Sequence, residues 1–357
     1  MPAHPVPADH PGRGPDAGFV PGRELSAAFH AEVVGPLLVG VPHSAALLGT
    51  GSDVLGYDTP VSTDHGWGPR MQVFVARERV DDVRRVVDAG LPERFRGWPV
   101  RFGWDSVPVR HHVQVAALDD WLRDRLGFDP ADGPTTADWL TTPQQALLEV
   151  TAGAVHLDHD GGLRRAREAL AWFPPPVHRW LLACQWTRIA QEEAFVGRTA
   201  QVGDELGSRL VAARLARELM RLAFLLTGRY WPYAKWFGTA FARLPVAAAL
   251  GPALVRVLAA ADLPAREAAL VEAYGVVARA HNAAGLTEPV DTAVRSFHGR
   301  GFAVLDAGRF AAACRRAVAD PRLLELPPVG SVDQFADGTD VLSAPGVVRR
   351  LRAVHDG

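Results

Sequence analysis

The sequence has few cysteines and no strong excess of either charge. Its 357 residues include two cysteines, Cys184 and Cys314, which lie far apart and outside any Cys-x-x-Cys spacing. A disulfide framework and a zinc knuckle are therefore excluded. The 40 acidic and 38 basic residues give a net charge of −2 at pH 7, which removes the broad attraction that nonspecific nucleic-acid binding requires.

Long apolar runs are also missing, since no stretch reaches the ~18 residues that span a bilayer. The longest candidate, residues 246–261, is interrupted by Pro252 and Arg256. We therefore expect a cytoplasmic protein with no membrane association and no broad nucleic-acid binding.

Lysine is nearly absent, because every basic residue except Lys235 is an arginine. A guanidinium does not reproduce the compact ammonium where a phosphate is met by a point charge. Lys235 is therefore a candidate functional residue, and chance survival in a lysine-poor composition is the alternative. It follows Pro232 closely, so we expect it in the first turns of a new helix, where N–H groups and an ammonium together suit an anion.

The length predicts two domains, since one domain usually takes roughly 100–200 residues. Residues 1–22 are rich in proline and glycine and predict a disordered leader. Helical periods alternate with short β-like runs over residues 23–130, which predicts an α/β domain. Residues 131–345 show helical patterns throughout, and residues 346–357 are left as a C-terminal tail. The predicted fold class is α+β, a mixed-sheet domain followed by an all-α helical bundle.

The segment 47–76 carries the strongest chemical pattern. An apolar strand runs into a Gly-Thr-Gly-Ser turn, where backbone N–H groups near Gly51 and the Ser52 hydroxyl suit a phosphate. Asp64 stands twelve residues after Ser52 and directly before the next strand, where a carboxylate suits Mg²⁺ or Mn²⁺ beside those phosphates. The simpler interpretation is a strand–turn–strand unit in which Asp64 caps a turn.

This order of residues is typical of nucleotidyltransferases of the polymerase-β-like superfamily, in which two acids flank one residue at this point. Here Gly66 stands in place of the second acid, and Gln114 occupies the later strand position where a third acid is expected. Two-metal phosphoryl transfer needs those carboxylates. Asp58, in the intervening loop, is the candidate for a compensating metal ligand.

Three further side chains are candidates for the same site. Arg70, at the entrance of a strand, suits bidentate contact with phosphate oxygens or, equally, stacking on Trp67. Tyr233 belongs to an aromatic group that suits stacking on a nucleobase or packing between domains. Glu193 is a candidate general base.

Other acids, Glu192, Asp204 and Glu205, compete for the role of general base. Asp204 follows a glycine and precedes a long helical pattern, which predicts a helix N-cap.

Longer segments resemble one family throughout residues 23–345: GSDVLGYDT, STDHGWGPR, QEEAFVGR, GDELGSRLVAARLARELMRLAF, YWPYAKWFGTAF and GSVDQFADGTDVL. This is an uncharacterised bacterial family of nucleotidyltransferase-like proteins, with a polymerase-β-like N-terminal half and a helical C-terminal half. The resemblance implies that Gly51 and Ser52 hold a triphosphate and that Asp64, helped by Asp58, holds Mg²⁺. Gly66 departs from the family pattern, in which Asp or His often stands at this position.

The leading hypothesis is an enzyme that transfers a nucleoside monophosphate from an NTP, with Mg²⁺, to a hydroxyl of a small molecule or protein. Its catalytic residues would be Asp64, Lys235 and Glu193, and its nucleotide-binding residues would include Arg70 and Tyr233. The alternatives are a catalytically degenerate nucleotide-binding or regulatory protein and a structural partner in a hetero-complex.

Overall fold

The computed structural model describes residues 18–105 and 107–355. The strands in chain order are β1 (Ser44–Leu47), β2 (Arg70–Phe74), β3 (Arg94–Phe95), β4 (Trp98–Pro99), β5 (Arg101–Trp104), β6 (Val107–Ala116), β7 (Ala154–Leu157), β8 (Arg295–Ser296) and β9 (Ala303–Val304). The helices are α1 (Gly22–Phe29), α2 (Gly35–Leu37), α3 (Ser52–Leu55), α4 (Val80–Gly90), α5 (Leu118–Leu126), α6 (Thr136–Thr141), α7 (Gln144–Thr151), α8 (Gly162–Ala169), α9 (Pro175–Glu192), α10 (Phe195–Gln201), α11 (Glu205–Leu226), α12 (Ala234–Phe241), α13 (Ala247–Ala259), α14 (Leu263–Ala284), α15 (Gly308–Arg316), α16 (Pro321–Glu325), α17 (Val332–Phe335), α18 (Thr339–Leu342) and α19 (Pro345–Arg350).

The chain divides into two compact units. The first comprises Met1–Pro134 and Ala146–Ala171, and the second comprises Thr135–Gln145 and Trp172–Gly357. The division expected from the sequence, near residue 130, differs in one segment, because β7 and α8 belong to the first unit. The reason is that β7 pairs with β1 and completes the sheet. Most of the predicted leader, residues 1–17, lies outside the described residues.

Within the described residues, five strands form one sheet in the order β5-β6-β2-β1-β7. Strand β1 is antiparallel to both β2 and β7, β2 is parallel to β6, and β5 is antiparallel to β6. This arrangement confirms the predicted mixed sheet, and every residue of β1, which lies between β2 and β7, is buried. A strand buried on both faces reads as a continuous apolar run, which is how it appears in the sequence.

One face of the sheet carries the core of the first unit. Side chains alternate between faces along a strand, so Met71 and Val73 of β2 enter the core while Arg70 and Gln72 lie on the opposite face. The core cluster contains Leu25, Phe29, Met71, Val73, Val83, Val87, Val113 and Val115, among others from α1, α4, β2 and β6. Helices α1 and α4 therefore cover this face and leave the Arg70 face for other contacts.

One end of the sheet gathers the segments from which the sequence predicts a phosphate site. Because β1 runs antiparallel to β2, the residues that follow β1 lie beside Arg70, the first residue of β2. Strand β6 is parallel to β2 and pairs His112 with Arg70, while its earlier residues pair with β5 as far as Trp104. We call this end of the sheet, marked by residues 48–52, Arg70, His112 and Trp104, the turn end.

The second unit is built mainly from long helices, as predicted. Asp204 caps α11 by accepting a hydrogen bond from the Gly207 N–H at 2.7 Å, which confirms the N-cap expected from the sequence. The unit is not all-α within the described residues, because β8 and β9 pair as a short antiparallel hairpin. Nor are residues 345–355 a loose tail, since they form α19 and a 3-10 turn that ends at the buried His355.

No helix in the described part of the chain combines the length and apolarity needed to cross a bilayer.

Candidate functional site

The turn after β1 adopts a backbone conformation that requires glycine. Gly49 has φ 87° and Gly51 has φ 136°, values that side chains with a Cβ rarely allow. A Cβ on Gly51 would also overlap the Asp53 carboxylate and the Arg70 guanidinium. The turn is therefore packed closely against two charged side chains, one of which, Asp53, sequence reasoning missed.

Much of the hydrogen-bonding capacity of this turn is not used by the protein. Gly49 N–H donates to the Glu149 carbonyl at 2.8 Å, which attaches the turn to α7. Within residues 18–105 and 107–355, no hydrogen bond is formed by the N–H groups of Thr50, Gly51 or Ser52, or by the Ser52 hydroxyl. Consecutive free N–H groups in a glycine turn form a concavity that suits an anion.

Arg70 fixes the shape of the turn from the neighbouring strand. Its Nε donates to Asp53 Oδ2 at 2.8 Å, and its Nη2 donates to Asp53 Oδ1 at 2.5 Å and to the Thr50 carbonyl at 2.7 Å. The Asp53 side chain is 1% exposed and that of Arg70 is 13% exposed, so this is a nearly buried bidentate pair. The two roles weighed from the sequence, phosphate contact and stacking on Trp67, did not include it.

A second guanidinium lies close to the start of the turn. Arg125 Nη2 is 3.1 Å from the point where a Cβ on Gly49 would lie, and its Nη1 donates to Glu149 Oε2 at 2.5 Å. The guanidinium also lies over the Trp121 ring, 4.8 Å from its centroid. Sequence reasoning missed Arg125, because α5 carries no motif that sets this residue apart from other arginines.

The two carboxylates predicted to bind metal lie in the loop before β2. Asp64 ends a 3-10 turn, Pro60–Asp64, and is exposed. Asp58 Oδ2 accepts hydrogen bonds from Gly22 N–H at 2.7 Å and from Trp67 Nε1 at 2.9 Å. Asp58 thus holds the start of α1 against this loop, and one of its oxygens is already occupied.

An aromatic ring covers the position where a second acid was expected. Gly66 has φ 63°, and a Cβ placed on it would lie 3.4 Å from the Cε2 and Cζ2 atoms of Trp104. Gly68 is closer still to a ring, since a Cβ there would lie 2.7 Å from Cε1 of Phe102. Glycine at position 68 therefore lets the loop pass close to Phe102, whereas a Cβ on Gly66 would make an ordinary contact with the Trp104 ring.

The third acid of the expected pattern is replaced by amides. Gln72 of β2 and Gln114 of β6 are register partners, so they share the Arg70 face of the sheet. Gln72 Oε1 accepts from Leu48 N–H at 2.7 Å, and Gln114 Oε1 accepts from Trp121 Nε1 at 3.2 Å. Both amides have structural partners and neither supplies a carboxylate.

These residues do not fit a two-metal centre. In the part of the chain that the structure describes, no group of three or more His, Cys, Asp or Glu side chains is arranged to hold a metal ion. Asp64 and the remaining oxygen of Asp58 are the carboxylate atoms left from the predicted set. Binding of Mg²⁺ by Asp58 and Asp64 stays a prediction.

Lys235 and Tyr233 lie in the second unit. Lys235 is the second residue of α12, in the first turn of a new helix as expected. Its side chain is exposed, and its Nζ lies 5.1 Å from the centroid of the Trp236 ring. Tyr233 is 40% exposed, and its N–H donates to Gln145 Oε1 at 3.2 Å. Partial burial raises the pKa of the Tyr233 hydroxyl, so this side chain is a neutral ring near physiological pH.

Glu193, the candidate general base, is buried in the second unit with both oxygens occupied. Its carboxylate accepts N–H bonds from Leu305 at 2.8 Å, Asp306 at 3.1 Å and Ala307 at 2.9 Å. Burial raises the pKa of Glu193 to about 7, although these three donors favour the ionised form. Its partners show that Glu193 fastens the segment before α15, and its catalytic role stays a prediction.

The predicted site residues thus fall into two sets. Gly51, Ser52, Asp58, Asp64 and Arg70 belong to the first unit, and Glu193, Tyr233 and Lys235 belong to the second. That both sets serve one site stays a prediction.

Residues 139–237 match the model of one family, described as "Domain of unknown function (DUF4037)". This match confirms a domain of an uncharacterised family at residues 139–237, and the bacterial and nucleotidyltransferase-like character of the family stays a prediction. No curated protein and no solved structure matches the chain. The matched segment contains Glu193, Tyr233 and Lys235 but does not reach the turn after β1.

Proposed function

We propose that the first unit is a nucleotidyltransferase-like module that binds the polyphosphate of a nucleotide at residues 49–52 without two-metal catalysis. The observation that carries the proposal is the set of unpaired N–H groups of Thr50, Gly51 and Ser52, directly after the buried strand β1 and close to two guanidinium groups. The Ser52 hydroxyl adds a fourth donor. This is the second of the functions expected from the sequence.

The charges around the turn favour directed hydrogen bonds over bulk attraction. Arg70 is paired with Asp53 and Arg125 with Glu149, so the two cations are locally balanced. Hydrogen bonds to a charged partner contribute about 1.5–3 kcal/mol each, and three or four of them support binding of a phosphate group. The Nη1 atom of Arg70 has no protein partner within the described residues, so it is free to donate a further hydrogen bond to the phosphate.

The order of elements supports the nucleotidyltransferase-like part of the proposal. A buried strand, a glycine–serine turn, a loop with Asp64 and an antiparallel second strand follow one another, and a third strand runs parallel to the second. The acids that two-metal phosphoryl transfer requires are replaced by Gly66 and Gln114. Binding without transfer is the function that fits both observations.

Nucleotidyl transfer to an unknown hydroxyl is the second candidate, favoured by one observation. The Asp64 side chain is exposed in the loop that enters β2 and has no hydrogen-bond or ion-pair partner within the described residues. A bound Mg²⁺ would supply charge neutralisation for phosphoryl transfer. In that case Ser52 and the turn N–H groups would hold the leaving phosphates.

Thermal unfolding with each NTP, with and without Mg²⁺, tests these functions on wild type, Ser52→Ala and Asp64→Asn. A ligand at about 100 times its Kd stabilises the folded state by about 2.7 kcal/mol. The proposal expects stabilisation without metal that weakens in Ser52→Ala and persists in Asp64→Asn.

Stabilisation that requires Mg²⁺, is lost in Asp64→Asn and is accompanied by pyrophosphate release would instead establish the transferase. If no NTP stabilises the wild type under either condition, both candidates are wrong, and the hetero-complex expected as a third alternative gains support.

A further inference from the structure

A group of aromatic side chains lies at the turn end of the sheet. The Trp104 ring centroid is 5.0 Å from that of His112, 6.1 Å from that of Phe102 and 5.9 Å from that of His65. Phe102 and His112 are 4.3 Å apart, and His112 Nε2 bonds the Phe102 carbonyl at 2.9 Å. We call these four residues the ring cluster.

The local backbone is arranged so that the rings face the loop before β2. The pairing of β5 with β6 is irregular between Phe102 and Trp104, and such irregularities redirect side chains. Gly66 lies at contact distance from the Trp104 ring, and a larger residue at Gly68 would meet Phe102 and separate the loop from the strand. A ring therefore takes the place at which the nucleotidyltransferase pattern would present its second carboxylate.

The ring cluster and the turn after β1 flank the same arginine. Arg70 and His112 are register partners on adjacent parallel strands, so their side chains lie side by side on one face. On its other side, Arg70 Nη2 donates to the Thr50 carbonyl at 2.7 Å. An elongated ligand with an anionic and an aromatic end can therefore contact both features at the turn end.

Exposure distinguishes the ring cluster from the aromatic core of the same unit. Trp67, Trp98 and Phe95 are each at most 6% exposed, whereas Trp104 and His112 are partly exposed and the His65 side chain is 59% exposed. Partly exposed rings beside a phosphate-binding feature are the arrangement that proteins use to stack nucleobases.

We propose that the ring cluster, with Trp104 as its main surface, stacks on the base of the nucleotide whose phosphates the turn after β1 binds. This inference rests on the proposed function and names its ligand class as a nucleotide, not an inorganic polyphosphate or a sugar phosphate. Because every base has a π-face, stacking alone sets little preference among bases. The ring cluster therefore contributes affinity for a base in general.

Calorimetric titration of the full chain with ATP and with inorganic tripolyphosphate, without metal, tests this inference. The variants are Trp104→Leu, which removes the ring, and Trp104→Phe, which keeps one. We expect wild type to bind ATP more tightly than tripolyphosphate, and Trp104→Leu to bind ATP about tenfold more weakly, as loss of one stacking contact implies. Trp104→Phe should keep most of the ATP affinity, and tripolyphosphate should bind all three proteins equally.

Equal wild-type affinity for ATP and tripolyphosphate would overturn the base-stacking inference and leave the proposed function standing. An unchanged ATP affinity in Trp104→Leu would do the same. If wild type binds neither ligand, the proposed function itself is wrong. Should Trp104→Leu fail to fold, the comparison of the two ligands on wild type and on Trp104→Phe still decides the matter.

Discussion

Substitution of Gly51 by alanine should unfold the first unit at markedly lower denaturant concentration. Two costs add at this position. The backbone has φ 136°, a conformation that costs a residue with a Cβ about 1–3 kcal/mol. The new methyl group would also displace the pair formed by Asp53 and Arg70, and loss of one hydrogen bond between charged groups costs about 1.5–3 kcal/mol.

The two terms together predict a loss of about 2.5–6 kcal/mol in the free energy of unfolding of the first unit. Gly40 offers a matched control, because its φ is 79° and nothing lies within 4 Å of a Cβ placed there. Gly40→Ala should cost about 1–2 kcal/mol, from the backbone alone. Urea unfolding followed by circular dichroism, with the transitions of the two units fitted separately, measures both values. Equal stability of Gly51→Ala and Gly40→Ala would show that the Asp53–Arg70 pair does not constrain the turn.

Gly66, the buried Glu193 and the half-buried His156 give three further expected outcomes. Gly66→Asp should release no pyrophosphate from NTPs, because Gln114 still stands where the third acid of two-metal phosphoryl transfer is expected; measurable turnover would contradict this. Burial raises the pKa of Glu193 from 4.5 to about 7, so between these pH values the folded state binds more protons than the unfolded state. The free energy of unfolding of the second unit should therefore fall by up to about 3 kcal/mol as the pH rises from 4.5 to 7. Urea unfolding across that pH range measures this change. If the free energy of unfolding of Glu193→Gln depended on pH as steeply as that of wild type, Glu193 would not be the group responsible. Burial and the neighbouring His30 lower the pKa of His156 from 6.5 to about 4. The free energy of unfolding of the first unit should therefore fall as the pH drops from 6.5 to 4. Thermal unfolding from pH 7 to pH 4 measures this fall, which should be smaller in His156→Gln.

Local patterns were enough to predict the elements around the candidate site. The buried strand β1, the glycine turn after it and the N-cap at Asp204 each follow from a few neighbouring residues, because backbone conformation and capping depend on local chemistry. The long helices of the second unit follow from apolar periodicity for the same reason. Strand β7 was missed, since its four residues lie among helical segments and gain their identity by pairing with β1.

The partners of the site residues could not be read from the sequence. Arg70 was expected to meet a phosphate or Trp67, but strand pairing places it against Asp53, seventeen residues earlier. Glu193 was expected to act as a base, but folding brings the N–H groups of residues 305–307 to its carboxylate. Such contacts join residues distant in the chain, and no local periodicity encodes them.

By itself, the sequence determined where glycine must bend the chain after β1 and that carboxylates are missing at positions 66 and 114, since both are properties of single residues. The tertiary structure decided that an aromatic ring covers Gly66 and that Arg125 reaches Gly49. Those two contacts depend on the register of β5 with β6 and on the position of α5. Both are set by packing of the whole sheet, which no single segment of the chain controls.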